Sequence, residues 1–225
     1  MHFSLSDLAA DISQNCAESG AGFVELAIWE TDEPGTPDSP VVREFRFFAG
    51  DNGKGMSQAV LDRATDPFVT DGVKHPGRKV GLGLPFLIQT AVDSGGGWRI
   101  SSTGKESETA LRSGGAGNAV RENSRYAGGS ATGTSVEAWF DLANVDTPPV
   151  GYIPGLFRTV LLFAGPEEIV LKRSRKGSGS TENANLDYEL KKTELMEALG
   201  GDLEDVSSLV LLGKYLHSLE GDEVE

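Results

Sequence analysis

The chain has 225 residues, 38% hydrophobic and 24% charged, long and apolar enough to bury a core and too mixed for a collagen-like, coiled-coil or fully disordered protein. Its 34 acidic residues against 20 basic ones give a net charge of −14, a field that repels a phosphate backbone and an anionic bilayer, so neither nucleic acid nor membrane is an expected partner. No apolar run nears the ~20 residues that cross a bilayer, the start MHFSLSD lacks a signal pattern, and one cysteine with three scattered His excludes an internal disulfide and the usual metal spacings, so the expected place is the cytoplasm.

Leu5, Leu8, Ala9, Ile12 and Cys16 fall at helical spacing, which predicts a first helix with Ser4 as N-cap and Gly20 as its stop. Phe23 to Glu30 and Val41 to Phe48, rich in β-branched and aromatic residues, read as antiparallel neighbours joined by a turn-rich stretch. A short helix follows over about Ser57 to Ala64, then a long loop, DPFVTDGVKHPGRKVGLG, and an apolar helix from about Leu82 to Ser94. Trp98 to Thr103 and Thr134 to Phe140 read as a second strand pair. The polar, Gly-rich stretch 104–132 between them reads as a flexible hairpin or disordered insertion.

Pro148 and Pro149 suggest a boundary, dividing the chain into residues 1–147 and a small α+β unit, 148–225. The second part is expected to hold a helix over Ile153 to Phe163, a hairpin of Glu168 to Arg175 with Asn185 to Leu190, and helices near Lys192 to Leu199 and Asp205 to Leu219. Lys172, Arg173, Arg175 and Lys176 read as the solvated basic turn of that hairpin.

Glycine is over-represented, 29 of 225 residues against an average usage of ~7%, and the common phosphate cradles are the first explanation to test. No G-x-x-x-x-G-K-[ST] occurs, and Gly81-Leu-Gly83-Leu-Pro-Phe86 fails the G-x-G-x-x-G spacing at its last position, which sets aside P-loop and Rossmann readings. What remains is an ordered series: DISQN (Asp11 to Asn15), DNGKGM (Asp51 to Met56), DPF (Asp66 to Phe68) with GLGL (Gly81 to Leu84), and GTSVEAWF around Thr134. In order and spacing the series resembles the N, G1, F, G2 and G3 boxes of the GHKL superfamily, which includes gyrase, histidine kinases and MutL. Within it, DPFVT…RKVGLGLPFL and VDTPPVGYIPGL look most like stand-alone ATP-binding proteins encoded beside iron-only hydrogenase and NADH-dehydrogenase-like subunits, although VDTPPVGYIPGL departs from HIDRPPLGD.

The resemblance implies a two-layer α/β sandwich of the Bergerat type with a small C-terminal α+β unit, and ATP with Mg²⁺ as ligands. Asp11 and Asn15, four apart, share one helix face. An amide oxygen is a hard ligand suited to Mg²⁺, and the N-box implies that role for Asn15. Asp51 is implied as acceptor for the adenine amino group, and Gly53 and Gly55 clear side chains from the approach of a planar base. Gly81, Leu82, Gly83 and Leu84 open a helix whose free N–H groups suit an anion. Thr134 is implied at the pocket floor, reaching adenine through water, while Lys79 and Arg78 lie in the presumed lid with Phe68.

Hydrolytic members carry a Glu four residues before the N-box Asn as general base; here Asp11 stands there, one methylene shorter. Slow ATPase or kinase activity in trans, on a redox-enzyme partner, is the expected function, with a nucleotide-gated adaptor as the alternative. The position of Asn15, with fourteen residues before it and no helix for His2, speaks against phosphotransfer in cis.

Overall fold

A computed structural model describes residues 4–33, 42–66, 83–105, 109–116, 131–177 and 185–221. The elements run α1 (Leu5–Ala17), β1 (Phe23–Glu33), β2 (Val42–Asp51), α2 (Gln58–Ala64), α3 (Gly83–Asp93), β3 (Gly97–Thr103), β4 (Thr109–Gly115), β5 (Gly133–Asp141), α4 (Ile153–Leu161), β6 (Glu168–Lys176), β7 (Asn185–Lys191), α5 (Lys192–Ala198) and α6 (Val206–Leu219). The strands form one seven-stranded sheet, ordered β4-β3-β5-β2-β1-β6-β7. β1 and β2 pair antiparallel, as do β3 and β5, whereas β1 and β6 pair parallel.

Period-two alternation sorts the strand side chains into two faces. Val24, Leu26 and Ile28 of β1, Phe45, Phe47 and Ala49 of β2, and Val136, Ala138 and Phe140 of β5 join the apolar core with Leu5, Leu8 and Ile12 of α1, Leu87 and Ala91 of α3, and Phe157 and Val160 of α4. Each large apolar side chain so buried contributes ~1.5–3 kcal/mol relative to exposure. The architecture is therefore a two-layer α/β sandwich with the helices against one face of the sheet. On the other face Arg46 meets Glu137 at 3.4 Å and lies 5.7 Å over the Trp139 ring, and Lys172 meets Glu25 at 3.1 Å.

Residues beyond Pro149 extend the same sheet and core. A parallel neighbour for β1 requires a crossover, and α4, packed on α1, lies within it. The segment that enters α4 also closes the start of α1: the N–H groups of Leu5 and Ser6 donate to the carbonyls of Pro149 and Val150, both at 2.9 Å, and Ser4 caps Asp7 N–H at 3.2 Å. Gly151 is at φ +87°, and a Cβ there would sit 2.1 Å from the Ser6 hydroxyl oxygen, so only glycine fits this junction.

Two expectations change. Residues 109–115, within the stretch read as a flexible hairpin or disordered insertion, form the edge strand β4, paired antiparallel with β3 from Gly97↔Gly115 to Thr103↔Thr109, so disorder does not hold for them. The basic run is also only partly solvated: Lys176 is exposed, but β6 alternates, so Arg173 points into the core side, where it is 1% exposed and pairs with Glu30 at 2.8 Å and Glu220 at 3.2 Å. The parallel pairing of β6 against β1 turns Arg173 inward while Lys172 faces out. Among the described residues no helix is long and apolar enough to cross a membrane.

Candidate functional site

Asp51, Gly53, Gly55 and Thr134 gather where β2 and β3 end and β5 begins, beside the C-terminal end of α1. Asp51 is the last residue of β2 and pairs in register with Thr134, which in turn pairs with Ser102 of β3. Asp51 is 2% exposed. Its Oδ1 accepts from the Gly53 N–H at 2.8 Å and from the Ser19 hydroxyl at 3.0 Å. Burial pushes the carboxyl above the ordinary carboxylate range, while the Gly53 N–H, the Ser19 hydroxyl, the Cys16 thiol and the Thr134 N–H favour the charged form and draw it back. Burial, then the Asp51 charge, holds the Cys16 thiol well above its usual value, so the thiol stays protonated and donates.

Beside this carboxylate, the Thr134 and Ser102 hydroxyls lie 2.8 Å apart, and Ser102 Oγ accepts from Met56 N–H at 2.8 Å. The loop after β2 is thus tied down at both ends: the N–H of Phe23 donates to Asn52 Oδ1 at 2.9 Å near its start, and Met56 binds Ser102 at its close. The two loop glycines serve these ties. A Cβ on Gly53 would lie 2.0 Å from Ser19 Oγ, and one on Gly55, at φ +63°, would lie 1.9 Å from the carbonyl oxygen of Thr103. The space that their missing side chains leave is filled by the protein itself, an addition to the sequence argument, which assigned it to a ligand.

One helical turn from these groups the site changes character. Asn15 is exposed on α1, and the Cβ position of Gly83, first residue of α3, lies 3.5 Å from its Nδ2. The amide of DISQN therefore adjoins the start of GLPF, where a helix leaves its first N–H groups without intrahelical partners. Asp11, half-buried, precedes Asn15 by one turn of the same helix, and Leu84 is partly buried against the core. Lys79, Gly81 and Leu82, with Arg78 and Phe68, lie outside the described residues.

Sequence reasoning missed Ser19, Ser102 and the thiol of Cys16 as polar participants. Ser19 and Ser102 carried no motif, and each acts on a residue 32 positions away, so only the folded register reveals them. A separate cleft between α2 and β4, lined by Gln58, Asp62, Thr65, Leu111 and Arg112, is a structural seam whose polar groups satisfy one another. Arg112 donates to the Asp62 carbonyl at 3.2 Å and to the Thr65 hydroxyl, and Leu111 N–H donates to Gln58 Oε1 at 3.1 Å. Among the described residues no three His, Cys, Asp or Glu side chains converge as a metal site would require.

The arrangement offers a buried acceptor held by neutral donors at one end, and an exposed amide beside a helix N-terminus at the other. The first suits an N–H donor on a planar group, the second an anion or its counter-cation. No family model matches the chain. No curated protein matches it either. Among solved structures it is similar to the MutL ATPase domain of Aquifex aeolicus complexed with ADP, with 14% identity over 77% of this chain, 61% of that chain and a TM-score of 0.41. The chain thus spans less than two thirds of the length of that neighbour.

Proposed function

We propose that this protein binds ATP with Mg²⁺ in the cleft bounded by α1, the loop after β2 and the start of α3, and that it works as a GHKL-type regulatory protein. The observation that carries the reading is the buried Asp51 carboxylate, 2% exposed, with no cation beside it among the described residues and with neutral donors only. A buried carboxylate costs stability unless paired or used; an adenine amino group is a donor of the kind it would use. Asp51 takes the amino group in this reading, and Thr134 and Ser102 form the floor beside it. Gly83 and Leu84 present the N–H groups of α3 to phosphate, and Asn15 would hold Mg²⁺ through its amide oxygen. Lys79, Gly81 and Leu82 belong to the same phosphate end on the resemblance alone. The metal, when bound, would neutralise phosphate charge.

Asp11 is assigned as a general base with short reach, which makes turnover slow. The resemblance further assigns a protein partner of redox-enzyme, hydrogenase-like type and a kinase-like transfer in trans. The adaptor reading is favoured by a different observation: α1, which carries Asp11 and Asn15, is bonded at its start to Pro149 and Val150 and packs on α4, so a shift of α1 on nucleotide binding would be felt by residues 148–225.

Titration calorimetry with ATP and Mg²⁺ tests the first claim; a dissociation constant in the micromolar range is the expected result, and absence of heat at millimolar ATP would refute it. γ-labelled ATP separates enzyme from adaptor, since only an enzyme frees the label or moves it to a protein.

A further inference from the structure

We propose that Ser19 is a positioning residue that sets the base preference of the site by fixing the Asp51 carboxylate. This inference rests on the nucleotide reading above and deepens it.

Ser19 follows the last turn of α1, where its hydroxyl oxygen lies 2.7 Å from the Cys16 carbonyl and 3.0 Å from Asp51 Oδ1. The single hydroxyl proton is shared between these two acceptors in a three-centre bond, a common device at helix ends. It anchors Asp51 to the α1 backbone rather than to another mobile side chain. The second donor to Oδ1 is the Gly53 N–H at 2.8 Å. With Oδ1 held by these two donors, rotation of the carboxylate is blocked, and a donor on the ligand would be met at Oδ2. Ser19 is itself wedged: its Oγ lies 2.0 Å from where a Gly53 Cβ would stand, and its carbonyl accepts from Lys54 N–H at 3.5 Å. The pair Ser19 and Gly53 is therefore a fitted contact, in which a helix end clamps the loop whose first residue is Asp51.

Adenine and hypoxanthine differ at one edge. Adenine presents an amino donor there, hypoxanthine a carbonyl acceptor, and a fixed acceptor rewards the first and opposes the second. The selectivity between them measures how firmly the carboxylate is held. The groups that face Asp51 are Cys16 from α1, Ser19 from the turn after it, Gly53 from the loop and Thr134 from β5; of these only Cys16 titrates, and well above neutrality. Removal of the Ser19 hydroxyl withdraws one donor that favours the charged form, so the acid limb of ATP binding should move to higher pH.

The test is calorimetry with ATP and with inosine triphosphate on the wild type, Ser19→Ala, Asp51→Asn and the double variant, with thermal melts to establish folding. The expected result is that Ser19→Ala weakens ATP by about 5- to 20-fold, less than a direct loss at Asp51 because the hydroxyl acts only through the carboxylate, and leaves inosine triphosphate unchanged. Ser19→Ala should have no further effect in the Asp51→Asn background, and the midpoint of the acid limb for ATP should rise. Ser19→Cys, of similar shape but a weaker donor, should give a smaller loss in the same direction, and it stands in if Ser19→Ala does not fold. Equal losses for both nucleotides, or the same loss without Asp51, would mean that Ser19 only supports the loop and would overturn the proposal while the nucleotide site stands. A wild type that binds neither nucleotide would overturn the nucleotide reading itself, and this proposal with it.

Discussion

Two buried polar clusters in this protein, each built around a charged side chain, are solved in opposite ways. At the C-terminal end, Arg173 is 1% exposed and is paired with Glu30 at 2.8 Å and Glu220 at 3.2 Å; Glu220 is held also by Tyr188 at 2.7 Å and by Arg175 at 3.5 Å. At the other, Asp51 is as deeply buried, yet among the described residues only neutral donors meet it. The first cluster is complete within the chain and ties the end of α6 to β6, β7 and β1. The second is complete only as far as orientation; its charge is tolerated rather than compensated. A charge network closed on itself has a structural role, whereas a fixed carboxylate with only neutral donors beside it among the described residues is what the proposed nucleotide reading would use.

The comparison breaks most readily at Arg173. Arg173→Met keeps volume but strands two carboxylates, and removing one partner of a buried pair costs ~3–5 kcal/mol. Urea denaturation should show that loss. A change under about 1 kcal/mol would mean that the cluster is not what joins α6 to the sheet.

Asp51→Asn should do the reverse to the empty protein. The amide oxygen can still accept from Gly53 and Ser19, while the buried charge is removed. The sign follows from linkage: the folded carboxyl titrates above its unfolded value of ~3.9, so between the two values the native state binds more protons, and stability falls as pH rises through that window. Asp51→Asn lacks this penalty. It should melt higher than the wild type at pH 7, with the advantage vanishing below about pH 3.9. The same variant should bind ATP about 10- to 150-fold more weakly, a charged hydrogen bond being worth ~1.5–3 kcal/mol. Gain of stability with loss of binding is the signature of a functional group; loss of both would place Asp51 with Arg173 as structural.

The same contrast governs what the sequence revealed. The apolar stripe of α1 and the alternation of β1, β2 and β5 were legible because each writes its burial in a local period, and Asp51, Asn15 and Thr134 were singled out only because motifs surround them. β4 was not: Ala110 is its only fully buried residue, so an edge strand of Thr, Arg, Ser and Gly shows no alternation of hydrophobic character. Arg173 was misjudged because the parallel register with β1, and the arrival of Glu220 from 47 residues away, decide which way it points. Ser19 was silent for the same reason. Charge closure and positioning depend on non-local partners, and no spacing rule carries them.

A smaller effect is expected at Asp11, the second carboxylate on the proposed nucleotide side. Asp11→Glu restores the reach of the general base, and the ATPase rate should rise by about tenfold, ~1.4 kcal/mol in activation free energy. Phosphate release under saturating ATP checks it. If neither Asp11→Glu nor Asp11→Ala alters the rate, Asp11 is not the base, and the adaptor reading gains.

Ser94 gives the smallest and cleanest case, a third kind of buried polar group with neither an ion partner nor a claim on ligand. Its side-chain oxygen is fully buried and has no hydrogen-bond partner among the described residues. Its backbone is fully used, the N–H bonding Thr90 at 3.0 Å and the carbonyl accepting from Asp141 at 3.3 Å, so the residue is held where α3 turns into β3 whatever its side chain. Gly95 follows at φ +70°, and a Cβ on Gly96 would meet the Trp139 carbonyl at 1.8 Å, which makes this turn too tight to relax and admit water to the hydroxyl. An unpaired hydroxyl loses its hydration without return, and its removal leaves only a methyl-sized group in place. Ser94→Ala is therefore expected to stabilise the protein by about 0.5–1 kcal/mol, read as a rise in the urea midpoint at constant slope, with nucleotide affinity unchanged. Destabilisation would show that the hydroxyl has a partner in solution, and altered ATP binding would extend the site to the far end of α3, where nothing in its geometry now calls for it.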